Sequence, residues 1–154
     1  MSFLSYLETL RQPLATMTGQ PLAAVCIYTQ QGLEEFVGNA VAVHQCALLV
    51  GLSGGQGNAD RQAVNRTATN TLEVEVWTPE VVMRTDAPLC VDMVERIMAG
   101  LHGYAPGRAV IGTTSARVPA FQRWALRVEQ DKQGTRYLVG NLQFEVRQDP
   151  DAAA

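Results

Sequence analysis

The sequence predicts an α+β domain: a mixed, mostly antiparallel β-sheet of about four to five strands with two main helices packed on one face. Two segments place apolar residues every three or four positions, as amphipathic helices do, and several shorter segments alternate apolar with polar residues. The chain has 154 residues, 47% of them hydrophobic and 18% charged, which is enough apolar material for one core. We therefore expect a single domain over residues 1–148 and a frayed tail over 149–154.

The first helix is predicted over residues 2–17. Pro13 is expected to kink this helix or to begin a new turn, because proline removes a backbone hydrogen bond. Residues 19–21 (Gly-Gln-Pro) end it. Its apolar stripe consists of Phe3, Leu7, Leu10, Leu14 and Met17.

The second helix is predicted near the middle of the chain. Thr85 or Asp86 can cap its start, and Pro88 falls in the first turn, where proline is tolerated. Gly100 and Gly103 bracket its end. The predicted buried stripe consists of Cys90, Met93, Val94, Ile97 and Leu101.

Three strands are predicted before the second helix. Residues 22–30 and 40–52 are apolar and partly β-branched, and the segment 31–39 between them is predicted as a connection. Residues 71–77 alternate strictly, as a half-exposed strand does. The glycine-rich segment 53–70 is then the long loop at the tip of a hairpin.

The end of the chain predicts a second hairpin. Residues 124–129 and 138–146 alternate across a turn at 131–134. Residues 104–120 are predicted as a loop with a short strand at 108–112. The element order is α-β-β-β-α-β-β, with one sheet face left polar by Glu73, Glu75, Arg127, Glu129, Gln143 and Glu145.

Charge and cysteine usage exclude several classes of protein. The net charge is −3 and Lys132 is the one lysine, so no basic face for nucleic acid is expected. No apolar run approaches the roughly 20 residues that span a bilayer, and no signal peptide is predicted. Cys26, Cys46 and Cys90 are widely spaced, which favours buried free thiols in a reducing cytoplasm over disulfides or a metal site.

No catalytic set emerges from the sequence, so we expect no enzyme and no cofactor. The loop that begins at Ser53 has glycines but lacks the lysine of a phosphate-binding loop. His102 is expected to be structural. The alternative is a small-molecule-binding or enzymatic domain with a site near the 53–70 and 104–120 loops, for which His44, Cys46 and Arg108 are the candidates.

The layout resembles that of the tail-terminator and minor tail proteins of tailed phages, including the lambda-type terminator and its counterpart in Mu-like contractile phages. The resemblance lies in a Glu-Val-Glu-Val strand (73–76), a helix that begins Pro-Leu-Cys-Val-Asp-Met-Val (88–94) and a terminal hairpin (123–129 and 140–146). It implies a non-enzymatic subunit without cofactor. Such subunits form a hexameric ring that ends the tail tube and meets the head–tail connector.

The resemblance also implies partners and a place. The partners are further copies of the chain, the tail tube protein and the connector, without membrane or sequence-specific nucleic acid. The place is the host cytoplasm during assembly and then the virion tail; a contractile secretion machine remains an alternative. The 53–70 loop is expected to point toward the lumen or a neighbouring ring. From the alternation itself, Trp77 is out of phase with Val76 and suits either an outer face or core packing at a sheet edge. The candidate interface residues are Arg61, Arg66, Glu73, Glu75, Trp77 and Arg127.

Overall fold

The computed structural model describes residues 3–28, 32–58, 67–81, 85–104 and 118–148. The five strands of the described chain form one mixed sheet in the order β1-β2-β3-β5-β4, parallel between β1 and β2 and antiparallel elsewhere. This confirms the predicted α+β class. The elements are α1 (Phe3–Thr18), a 3₁₀ turn (Leu22–Ala24), β1 (Val25–Ile27), α2 (Leu33–His44), β2 (Ala47–Asn58), β3 (Thr67–Pro79), α3 (Cys90–Leu101), β4 (Ala120–Gln130) and β5 (Arg136–Gln148).

Helices α1 and α3 pack on one face of the sheet, as the two predicted stripes require. Leu10 and Leu14 of α1 and Ile97 of α3 are fully buried against the apolar residues of β2, β3 and β5. Burying one such side chain contributes about 1.5–3 kcal/mol. Helix α3 approaches β5 so closely that a Cβ on Gly140 would overlap Val94 Cγ2 and lie 3.2 Å from Cys90 Sγ.

Helix α2 covers part of the opposite face, and here the prediction was wrong. Residues 31–39 were expected to be a connection and 40–44 part of a strand, but Leu33–His44 is helical. Val37, Ala40 and Val41 have helical spacing and bury that face together with Ala47 and Leu49 of β2, among others. A short apolar run fits a helix and a strand equally well, so the run beyond residue 40 was ambiguous.

The strands also differ in length from the prediction. Strand β1 is limited to Val25–Ile27 because the preceding residues form the 3₁₀ turn. The predicted loop 53–70 is mostly strand: β2 runs to Asn58, β3 begins at Thr67, and the two pair on both sides of a register shift at Ser53. Glycine has a low intrinsic propensity for strands, so the sequence favoured a loop. Here the pairing of β2 with β3 outweighs that weak preference.

The helices show smaller differences. Helix α1 continues through Pro13, and Phe3, which the stripe predicted as buried, is exposed. Helix α3 has Leu89 at its N-cap and no side-chain cap, so Thr85 and Asp86 precede it in a turn. Pro88 also lies before the helix. The predicted strand at 108–112 and the predicted frayed tail at 149–154 lie outside the described residues.

Candidate assembly surface

The sheet face that carries α2 remains open beyond that helix, over β3, β5 and β4. The register aligns side chains of these strands in rows that run across the sheet. Glu75 faces Asn141 on β5, and Trp77 faces Val139, which in turn faces Arg127 on β4. We call this open area the polar face. Its rows bring residues that are distant in the sequence within reach of one another.

A hydrogen-bonded network joins the carboxylates of the polar face. Asn141 Nδ2 donates to Glu73 Oε1 at 2.9 Å and to Glu75 Oε2 at 3.1 Å. Arg127 Nη2 reaches the same Glu75 oxygen at 2.7 Å, and its Nε reaches Glu129 Oε1 at 2.7 Å. These contacts distribute the negative charge of Glu73 and Glu75 over fixed donors, so the face is held in one geometry.

Trp77 forms the aromatic side of this network. Its ring packs edge-on against Tyr137, with centroids 5.5 Å apart and planes at 66°. The Arg127 guanidinium lies 5.8 Å from the indole centroid, within cation–π range. Trp77 Nε1 donates to Glu75 Oε1 at 3.3 Å. The indole is therefore half-buried and polar-paired on the face opposite to Val76, which is one of the two placements that the sequence left open.

Two effects oppose one another at the Arg127 guanidinium. Burial acts to lower the pKa of Arg127, but hydrogen bonds to Glu129 and Glu75 outweigh it and the pKa is raised. Arg127 therefore stays charged across the accessible pH range and keeps both carboxylates paired.

A cavity of about 760 Å³ opens between this network and α2. It is lined on the α2 side by Leu33 and Glu34 and at its end by the turn of residues 131–132. Glu34 Oε1 accepts a hydrogen bond from the Lys132 backbone N–H at 3.1 Å, which ties α2 to the β4–β5 turn. The cavity combines aromatic and charged walls, as a binding site for a polar ligand or a partner side chain does.

Four of the six candidate interface residues come together on the polar face: Glu73, Glu75, Trp77 and Arg127. Arg61 and Arg66 lie outside the described residues. Sequence reasoning missed Asn141 and Tyr137 as members of the site. The alternation of β5 carried a signal for Asn141, because it has the same parity as the polar Gln143.

The residues named for an enzymatic alternative do not form a catalytic pair. His44 lies in the last turn of α2 rather than in a strand, and Cys46 is fully buried beyond it. Burial, with the nearby Cys90 adding to it, raises the pKa of Cys46 to about 12, so the thiol stays protonated and is a poor nucleophile. Arg108 lies outside the described residues. Among those described, no three His, Cys, Asp or Glu side chains are grouped to hold a metal ion.

The edge formed by β4 is the second notable surface. Trp124, Leu126 and Val128 alternate on the side that faces α3, yet they are 47%, 40% and 48% exposed. Phe121 N–H donates to His102 Nδ1 at 3.0 Å, which occupies the start of the strand. From Gln122 onward, no hydrogen bond joins the outer backbone of β4 to another described element. Long apolar edges are rare in isolated domains, because they pair with other chains.

Neither a protein-family model nor a curated protein matches the sequence. Within the ranges that the structure describes, no helix is long and apolar enough to cross a membrane.

Proposed function

We propose that the chain is a non-enzymatic structural subunit of a phage or phage-like tail, in which six copies form a ring that ends the tail tube and meets the head–tail connector. The observation that carries this proposal is the extension of the β2–β3 hairpin past the exposed residues Ser53 and Gly54. The two strands stay paired from Gly54 and Thr71 as far as Asn58 and Thr67. We call this segment the arm.

The arm is suited to contact with a neighbouring subunit. The paired strand rises by four residues from Gly54 to Asn58, which is a length of about 13 Å. The backbone ladder makes the arm stiffer than a free loop, and a stiff element loses less entropy when it docks. The arm leads to residues 59–66, which include Arg61 and Arg66, and such side chains suit acidic groups on a partner.

The polar face supports the same proposal. Fixed charges of opposite sign determine how two subunits align with each other more than how tightly they bind. Arg127 and Glu75 lie side by side there, at the rim of an open cavity that admits side chains of a partner. A ring repeats one contact between two different patches of the subunit. The arm on one copy and the polar face on the next provide two such patches.

Shortening the arm tests the proposal. Replacement of residues 56–69 by Asn-Gly joins the paired residues Gly55 and Asn70 by a two-residue turn. It keeps Leu72 and removes Ala68 and Thr69, which pair with the last two residues of β5. We expect a folded chain that no longer forms a six-subunit ring in native mass spectrometry, with or without Mg²⁺. Tails assembled in cells with this variant should lack heads and have irregular lengths.

A matched control changes a loop outside both proposed patches. Insertion of Gly-Ser after Gln20 lengthens the connection between α1 and the 3₁₀ turn, away from the arm and the polar face, and it should leave ring formation and tails unaffected. Normal tails with the shortened arm would contradict the role of the arm. A chain that remains without ring on the tube and in solution would contradict the ring itself.

The cavity favours one second candidate, a domain that binds a small polar ligand against Trp77 and Tyr137. Ligand binding to the folded state alone raises the melting temperature with ligand concentration. A screen of nucleotides, acyl thioesters and amines separates the two functions. A concentration-dependent shift that Trp77→Ala abolishes supports the ligand site, and a flat screen supports the structural subunit.

A further inference from the structure

We propose that two copies of the chain pair through their β4 edges, antiparallel and around a two-fold axis at Leu126, so that their two sheets become one continuous sheet. This contact goes beyond the ring. A ring repeats a head-to-tail contact by rotation, whereas a two-fold contact joins the same patch on both copies. The occupant of the edge is therefore a second copy of this chain.

The apolar row of β4 fits this pairing. With Leu126 opposite Leu126 of the second copy, Trp124 lies opposite Val128, and Val128 opposite Trp124. These pairs cover the three exposed apolar side chains of each copy at once. Cross-strand pairs of aromatic and β-branched side chains contribute about 0.2–1 kcal/mol each. The row is thus self-complementary around its central residue.

The charges of β4 select the same register. Pairing around Leu126 places Arg123 opposite Glu129 of the second copy, and Arg127 opposite the neutral Ala125. Shifting the axis to Ala125 would instead place Arg123 opposite Arg127, and shifting it to Arg127 would place that arginine opposite itself. Like charges directly opposite one another destabilise a strand pair. Both shifted registers also leave an apolar side chain of the row opposite a glutamine.

The backbone is available for this contact. His102 occupies the outer N–H of Phe121, but the nine residues from Gln122 to Gln130 form no outward hydrogen bond with any described residue. All nine therefore fall within the proposed overlap. Outer backbone groups of β4 that have no partner among the described residues gain one when a second antiparallel strand is added. Leu89 and Val91 at the start of α3 are also exposed apolar residues.

The test uses two charge reversals in the full chain, Arg123→Glu and Glu129→Arg. Each variant alone places like charges opposite one another twice in the pair. An equimolar mixture restores both opposite-charge pairs, since one variant then carries acidic groups at both positions and the other carries basic groups at both. The Arg123 side chain is exposed and that of Glu129 is half-exposed, so the variants are expected to fold.

Native mass spectrometry over a concentration series provides the readout, because the two variants differ in mass. We expect a dimer for the unmodified chain, at least tenfold weaker pairing for each variant, and a mixed dimer when the variants are combined. Arg96→Glu on α3 and Glu35→Arg on α2 make the same charge changes at exposed side chains outside β4, and they should leave the dimer intact. The mixture also guards against misfolding, because misfolded variants do not rescue each other.

Three results would overturn the proposal: a monomer at all concentrations, variants that pair as well as the unmodified chain, or variants that fail to pair with each other. A monomer would mean that another part of the chain covers the edge. A six-subunit ring without any mixed dimer would support the proposed function and refute this contact. A mixed dimer without a ring would do the reverse, so the two proposals fail separately.

Discussion

The two edges of the sheet differ in length and in how they are covered. Strand β1 has 3 residues, and Arg11 of α1 lies across it, donating Nε and Nη2 to the Val25 carbonyl at 3.3 and 3.1 Å. Strand β4 has 11 residues and an exposed apolar row. Natural domains blunt their edges with short strands and charged side chains. The β1 edge follows that rule and the β4 edge departs from it.

This difference gives the two sides of the sheet different roles. The β1 side is buried on both faces by α1 and α2, so it belongs to the stable body of the domain. The β4 side has α3 nearby but uncovered apolar side chains, so it is suited to another chain. We expect substitutions in the buried core and at the β1 edge to change the free energy of unfolding, and substitutions of the exposed side chains of β4 to change association. The predictions below test that division.

The largest effect is expected at Gly140, where α3 is seated on β5. Gly140→Ala would force the new Cβ against Val94 and Cys90. The branched Val94 side chain has one strongly preferred χ1 rotamer in a helix, so moving it away is costly. Overpacking of this kind costs about 1–3 kcal/mol. Urea denaturation should show this loss. Gly54→Ala, whose Cβ meets nothing within 4 Å, is the matched control and should change the free energy of unfolding far less.

An alkaline pH tests the burial of the core through Cys46, which directly precedes β2. The folded state holds this thiol protonated, because its pKa is raised to about 12, while the unfolded chain loses the proton above about 8.5. The unfolded state then binds fewer protons than the folded state, so stability falls as pH rises. Between pH 9 and 10.5 this amounts to about 2 kcal/mol.

Cys46→Ala removes that titration, so its free energy of unfolding should fall less steeply over the same pH range. Cys26→Ala is the control, since Cys26 is only partly buried and should contribute a smaller slope. Equal slopes for Cys46→Ala and the unmodified chain would show that solvent reaches the thiol, and that the core around it is less closed than its packing indicates.

The fold could be predicted where one pattern dominated. Leu10, Leu14 and Ile97 repeat with a clear helical period, and all three are buried as expected. The failure at α2 has a physical cause, since Ala40 and Val41 continue directly into the apolar strand β2 and no proline or glycine separates them. The break is instead at Gln45, a residue in the left-handed region with φ of 59°, which the sequence does not mark.

The site was predicted in part for a related reason. Alternation placed Glu73, Glu75 and Trp77 on one face, and each lies there. Arg127 reaches these residues because β5 lies between β3 and β4. The alternation of apolar and polar residues does not reveal the order of strands in a sheet. The exposure of Leu126 could not be predicted either, because an apolar residue in an alternating strand is normally buried.

A smaller effect is expected when the hydrogen bonds of Arg11 at the β1 edge are removed. Arg11→Ala removes the hydrogen bonds to the Val25 carbonyl and leaves it to water at the sheet edge. The loss should be about 1 kcal/mol in the free energy of unfolding, since the carbonyl can be hydrated. Gln12→Ala, on the exposed side of the same helix, should change little. A larger loss from Gln12→Ala than from Arg11→Ala would refute the role assigned to Arg11.

The smallest effect on folding, and the sharpest on association, is expected from Leu126→Lys on the open edge. The side chain is already part-exposed, and the lysine stem can follow the same surface, so the free energy of unfolding should change by less than about 0.5 kcal/mol. The two-fold pair would place two lysines opposite each other, so self-association should weaken at least tenfold in sedimentation equilibrium. Val43→Lys makes the same change at an exposed apolar residue of α2 and should leave association unaltered. Unchanged association for both variants would mean that the apolar row of β4 is not a contact surface between copies, and that the contrast between the two edges concerns stability alone.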